Sequence, residues 1–152
     1  MIYSELLEKS REAGAEACRL AEEAEAVKMS EIGKCKDMSA WVGYTFESSS
    51  GLTPEFALFA KQFRAYVTRN LPDGIKLVSF TRGHFYVSGF ILNANTGKYV
   101  YFSSDDVRWD LCGGWYKKLL IRTAKHDKDY TGGANESAPL AELSARASEM
   151  TL

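Results

Sequence analysis

Two carboxylates one residue apart with a glycine close behind, in Asp127-Lys128-Asp129-Tyr130-Thr131-Gly132, are the beginnings of a calcium loop. Such a loop wraps a hard cation in oxygens and turns sharply at its sixth position. Counted from Asp127, position 6 is Gly132, but position 12 is Ala138, where a bidentate Glu must stand. The calcium reading fails. The same string fits the Asp-x-Asp-x-Thr pattern of an aspartyl nucleophile, which belongs at the end of an apolar strand. Thr123-Ala124-Lys125-His126 precedes it and barely twenty residues follow, so that chemistry is not expected either. His84 and His126 are the only histidines, and with Cys112 they would supply a base and a nucleophile. No G-x-S-x-G elbow or family-specific cysteine motif accompanies them, and no third group that would orient a base is identifiable. A small enzyme using His84 and His126 is therefore the last of three functional readings. Asp105, Asp106 and Asp110 could gather a hard cation, but an acidic loop is more simply a solvated one. Phosphate-binding loops, dinucleotide fingerprints and H-E-x-x-H helices are missing. The expectation is a protein that is not an enzyme, with no catalytic residue, no metal and no cofactor.

Residues suited to binding are more abundant. Arg122 to Gly133 contains three bases, two acids, a tyrosine and a glycine pair outside any apolar pattern, which is the composition of a recognition loop. The formal net charge of -1 conceals an asymmetry. Residues 1–60 sum to -5, residues 61–130 to +6 and residues 131–152 to -2. Such a field steers an anionic partner to the middle of the chain. Eighteen of the 19 aromatic residues fall between Trp41 and Tyr130. They are core material first. Aromatic residues on a sheet beside Arg and Lys also stack on the bases of single strands, although Arg82-Gly83-His84-Phe85-Tyr86 meets the usual signature only loosely. The candidate partner contacts are Arg82, His84, Arg108, Arg122, Lys125, His126, Asp127, Lys128 and Tyr130.

These residues need elements to hold them. Residues 2–28 read as one amphipathic helix, with Tyr3, Leu6, Ala13, Ala17, Leu20, Ala24 and Val27 on one stripe. Leu6, Ala13, Leu20 and Val27 stand seven apart, so a homodimer through residues 2–28 is open beside packing of the helix on its own sheet. Trp41, Val42, Tyr44 and Phe46 suggest a short strand, and Ser48-Ser49-Ser50-Gly51 a break. Thr53 as N-cap, Pro54 at the first helical position and Glu55 at the positive end start a second helix, which Leu71-Pro72-Asp73-Gly74 stops. Strands follow at residues 75–81, 84–92 and 98–104, and a fourth at 115–123. Arg82-Gly83 and the run Asn93 to Gly97 supply the turns. The fold class is α+β, an antiparallel meander of three to five strands with a long N-terminal helix and a second helix packed on one face.

Length and composition agree with this. The 152 residues, 45% apolar and 26% charged, make one ordinary domain, placed at residues 1–130, with residues 1–30 a helix free to project or dimerise. Residues 131–152 are expected as a C-terminal tail, partly mobile and ending in a short helix, because few large apolar residues anchor it. Three cysteines, Cys18, Cys35 and Cys112, without a C-x-x-C pair, argue against a disulfide framework or zinc knuckle. No apolar run approaches the ~18 residues that span a bilayer and the N-terminus has no leader pattern, so a cytoplasmic protein without membrane contact is expected.

A resemblance adds a setting. Gly51-Leu52-Thr53-Pro54-Glu55-Phe56, the run Phe80 to Phe90, Lys98-Tyr99-Val100-Tyr101-Phe102-Ser103 with Asp106-Val107-Arg108, and Ile121 to Gly133 resemble small proteins of phages, prophages and conjugative elements of Gram-positive bacteria. The likeness covers about two thirds of the chain, in the same order; the first 50 residues and the stretch after Gly133 depart from it. By size and setting the chain is similar in kind to anti-CRISPR inhibitors of single-effector nucleases. The resemblance implies a counter-defence protein in the cytoplasm of a bacterial host. It would bind a CRISPR effector nuclease, or its guide or target nucleic acid, and act by occlusion. The alternative from the residues themselves is a small nucleic-acid-binding phage accessory protein.

Overall fold

The computed structural model describes residues 2–46, 53–108 and 114–152, which fall into two units, Met1–Cys35 and Lys36–Leu152. The first unit is one helix, α1 (Ile2–Lys34). It runs six residues past the expected end, because Met29 to Lys34 hold no proline and the helix-weakening Gly33 comes only in the last turn. Its residues 2–27 are all exposed. Arg19 bridges Glu16 and Glu23 on its polar side, the latter at 2.6 Å.

The second unit begins with an aromatic knot in place of the expected strand. Residues Ser39–Trp41 form a 3-10 turn, and Trp41, Tyr44 and Phe46 lie against one another with ring centroids 4.8 to 5.8 Å apart. Side chains converging on one cluster cannot alternate across a pleat, so no strand forms here. Helix α2 (Pro54–Asn70) has the predicted cap, Thr53 Oγ1 accepting from the Phe56 N–H, with Pro54 in the first turn. Phe56, Phe59, Ala60, Phe63 and Val67 are its buried stripe, at steps of three and four.

The strands β1 (Ile75–Arg82), β2 (Val87–Asn93), β3 (Lys98–Ser103), β4 (Leu119–Ala124) and β5 (Glu136–Ala138) pair in chain order, each antiparallel to the next. This is the expected α+β meander, with β1 and β5 at the edges. Residues 84–86 do not join β2, because Gly83 to Tyr86 make a turn closed by Gly83 N–H donating to Tyr86 O at 2.8 Å. Phe85 takes a left-handed φ of 58° there, a strained choice for a bulky residue, and its ring is fully buried. The expected fourth strand also divides, into a single turn α3 (Gly114–Lys117), which buries Trp115, and β4.

Phe80, Gly89, Phe102 and Ile121 form one cross-strand row. Phe63 of α2 stacks against it, 6.1 Å from Phe102 and 6.4 Å from Phe80. Gly89 is required by this contact. A Cβ there would stand 2.6 Å from the Ser79 carbonyl and 2.8 Å from the Phe102 ring. The opposite face of the sheet carries Ser88, Phe90 and Tyr101.

Residues 131–152 belong to the second unit, Lys36–Leu152, and contain the short helix expected there. Leu140, Leu143 and Ala147 are buried, the last two in α4 (Leu143–Met150), and Thr151 is fully buried. Asn93 Nδ2 donates to the Thr151 carbonyl and hydroxyl at 3.2 and 3.3 Å, and Thr96 Oγ1 donates to the same carbonyl at 2.7 Å. These polar contacts to Thr151 add to the burial of Leu140 and Leu143, and apolar counting does not register them.

Candidate functional site

The run proposed as a recognition loop is organised by its own carboxylate. Asp129, 8% exposed, accepts from the Lys125 N–H at 2.9 Å, and from the Thr131 N–H at 3.2 Å and hydroxyl at 3.4 Å. The Lys125 amide first, then the Thr131 amide, hold its carboxyl below the ordinary range, against the opposing effect of burial. Gly132 completes the turn, since a Cβ there would lie 2.2 Å from Asp129 Oδ2. The pattern that suggested a cation loop is thus a carboxylate satisfied by backbone. Among the described residues no cluster of three or more His, Cys, Asp or Glu could hold a metal ion.

Arg122, expected to reach a partner, is turned inward. Its guanidinium lies 4.4 Å over the Tyr101 ring, donates to the Tyr130 carbonyl, and reaches Asn135 Oδ1 at 3.4 Å. It ties the segment after β4 to the sheet. Tyr130 is held with its ring edge-on to Phe90 at 5.3 Å and to Tyr101 at 5.8 Å, and stays 53% exposed. Lys125, His126, Asp127 and Lys128 are exposed, with His126 Nδ1 accepting from the Lys128 N–H at 3.1 Å. Arg108 is also engaged, over Phe85 at 4.3 Å and in a two-pronged pair with Asp106 at 3.0 and 2.6 Å. His84 is exposed in the β1–β2 turn, edge-on to Phe85. That turn and the start of the segment after β4 lie at opposite ends of the antiparallel sheet, so His84 and His126 are not brought together. Cys112 and Asp110 lie outside the described residues.

Arg82 alone of the expected contacts stands in a concentration of positive charge. A groove of about 690 Å³ runs between α2 and the free edge strand β1. Lys61, Arg64 and Arg69 line it from the helix and Arg82 from the strand, over a floor of alanines and Phe80. No acid is among its lining residues. Arg64 lies 5.9 Å over Phe80, and Arg69 donates to the Lys36 carbonyl. Lys61, Arg64 and Arg82 make no ion pair with any described residue. Lys61 and Arg64 were not among the expected contacts, yet the signal was present in sequence. From Lys61 to Arg69 helix α2 carries three bases and no acid.

The aromatic face of the sheet is a different surface. Beside Tyr86, Tyr101 and Tyr130 it presents Asp105 and Asp106 around a cleft whose lining includes no Lys or Arg. The groove's cations and the cleft's tyrosines, drawn from one stretch of sequence, are on separate surfaces of the fold. No helix among the described residues is long and apolar enough to cross a membrane. Comparison with models of known protein families, with curated proteins and with solved structures yields no match.

Proposed function

We propose that this protein acts by binding and that the groove between α2 and β1 takes the phosphodiester backbone of a nucleic acid. The observation that carries the reading is a set of four cations with no acid in one concavity. Three of the four are arginines, whose planar guanidinium donates two parallel hydrogen bonds to a phosphate. The Phe80 ring and the alanines beside it give an unpaired base an apolar surface to pack on. The sheet's aromatic face is not part of this interface, because its carboxylates repel phosphate.

A gel shift of oligothymidylate, duplex DNA and RNA at rising salt tests the reading. Affinity falls steeply, since each neutralised phosphate releases counterions. Replacing Lys61, Arg64 and Arg82 together by alanine flattens the salt slope by about 3, roughly one unit per contact. Binding that is undetectable or insensitive to salt on both single and double strands overturns it.

The counter-defence role in a bacterial cytoplasm rests on the quoted strings alone. In that setting the groove would hold the guide or target strand that an effector nuclease needs. A pull-down with a CRISPR effector and its guide separates the two. Capture of the effector without affinity for bare nucleic acid replaces the present reading with a protein-directed inhibitor. A homodimer through α1 is a second reading, favoured by one observation: Leu6, Leu20 and Val27 are each more than half exposed along that helix.

A further inference from the structure

The cleft on the open face of the sheet lies outside the groove and has its own chemistry. Thr81, Ser88 and Ser103 are direct partners across β1, β2 and β3, so three side-chain oxygens line up on adjacent strands. Adjacent strands set them ~4.8 Å apart. Tyr86, Tyr101 and Tyr130 line the cleft beside this row, and Asp105 and Asp106 complete it, enclosing about 390 Å³. That is the size of a small-molecule site. Ser88 is the informative residue. It is 3% exposed, lines the cleft, and has no hydrogen-bond partner for its hydroxyl among the described residues. Its hydroxyl opens onto the cleft, where it can donate to and accept from a molecule that displaces water.

The same lining decides the ligand class. Anions are disfavoured, because two carboxylates and no base face the cleft. A metal ion is disfavoured, because Asp106 is already held by both prongs of Arg108 and no ligand cluster exists among the described residues. A quaternary organic cation would leave the hydroxyl row unused, because it neither donates nor accepts a hydrogen bond. What remains is a neutral molecule rich in hydroxyl groups. Six side-chain hydroxyls that both donate and accept, with two carboxylates that only accept, complement such a molecule, and the tyrosine rings offer flat apolar surface for its C–H faces. We propose that this cleft is a saccharide-binding site, independent of the nucleic-acid groove.

The test is an amide NMR titration of the full chain with millimolar glucose, galactose, mannose and N-acetylglucosamine. Choline and inorganic phosphate serve as the cationic and anionic probes. The expected result is saturable shifts with at least one sugar, centred on Thr81, Ser88, Ser103, Asp105 and Tyr130, and none with choline or phosphate. Ser88→Ala weakens the sugar about tenfold, the value of one buried hydrogen bond. Should that variant misfold, Asp105→Asn serves, since Asp105 is exposed with a φ of 53° that asparagine tolerates. Absence of saturable shifts with all four sugars overturns the proposal. So do shifts with choline or phosphate in place of sugar, or sugar affinity unchanged in both variants.

Discussion

Arg122 and Asp129 show how residue type can mislead about role. Both stand in a segment whose composition announces recognition, and both are engaged within the fold, one tying the segment to the sheet and the other closing its turn. The Asp129 geometry has a pH consequence. Its carboxyl titrates below the ordinary range because the Lys125 and Thr131 amides favour the ionised form. The folded-state value is depressed, so the stability it contributes is fully present above the unfolded-state value and is lost as pH falls through the folded-state value. Asp129→Asn places a donor where a backbone N–H now donates, and its melting temperature at neutral pH is expected to fall below that of the wild type. The gap should close as pH drops below the carboxylate range, because the wild type then protonates the same group. Thermal unfolding at neutral and acid pH checks this, and a gap constant with pH would reduce Asp129 to a packing role.

At the scale of elements, periodicity was readable where side chains alternate or recur in stripes. Helix α2, its cap and the order of the strands follow from Thr53-Pro54-Glu55, the Phe56 to Val67 stripe and the β-branched and aromatic runs after Ile75. Three segments were not readable, each for its own reason. Around Trp41 the aromatics converge instead of alternating, at Phe85 a left-handed residue turns the chain early, and after Gly133 the burial of Leu140 and Leu143 is joined by a threonine, an asparagine and two backbone carbonyls. Helix α1 poses the converse problem, a clear element with an exposed apolar stripe. Tyr3, Ala17 and Ala24 each precede Leu6, Leu20 and Val27 by three, which completes alternate steps of three and four along one seam. Intrahelical pairs such as Arg19 with Glu16 and Glu23 are exposed to solvent and add little. A second copy would bury the seam. Light scattering is expected to give a dimer for the intact chain and a monomer for the double variant Leu6→Glu/Leu20→Glu; monomers for both would exclude it.

Over the whole molecule, the quantity that matters is where charge is placed and not how much there is. A linear sum puts twelve bases and most of the aromatics in residues 61–130 and invites one basic, aromatic surface. The fold separates them, because α2 and β1 present Lys61, Arg64, Arg69 and Arg82 to one groove while strand alternation sends Tyr101 to the other face with Asp105 and Asp106 nearby. Lys125 and Lys128 remain exposed in the segment after β4, where Asp127 stands between them. Two double variants of identical net charge therefore separate local field from total charge. Lys61→Glu/Arg64→Glu converts half of the groove's cations and is expected to abolish oligonucleotide binding. Lys125→Glu/Lys128→Glu imposes the same overall change at the segment first expected to make contact, and is expected to leave binding within about threefold of wild type, the modest long-range effect of exposed charges beyond a Debye length. Binding isotherms for the two variants at one salt concentration decide the matter. Equal losses would mean that the protein meets its ligand through net charge alone, and a loss confined to the second variant would return the interface to the recognition segment after β4.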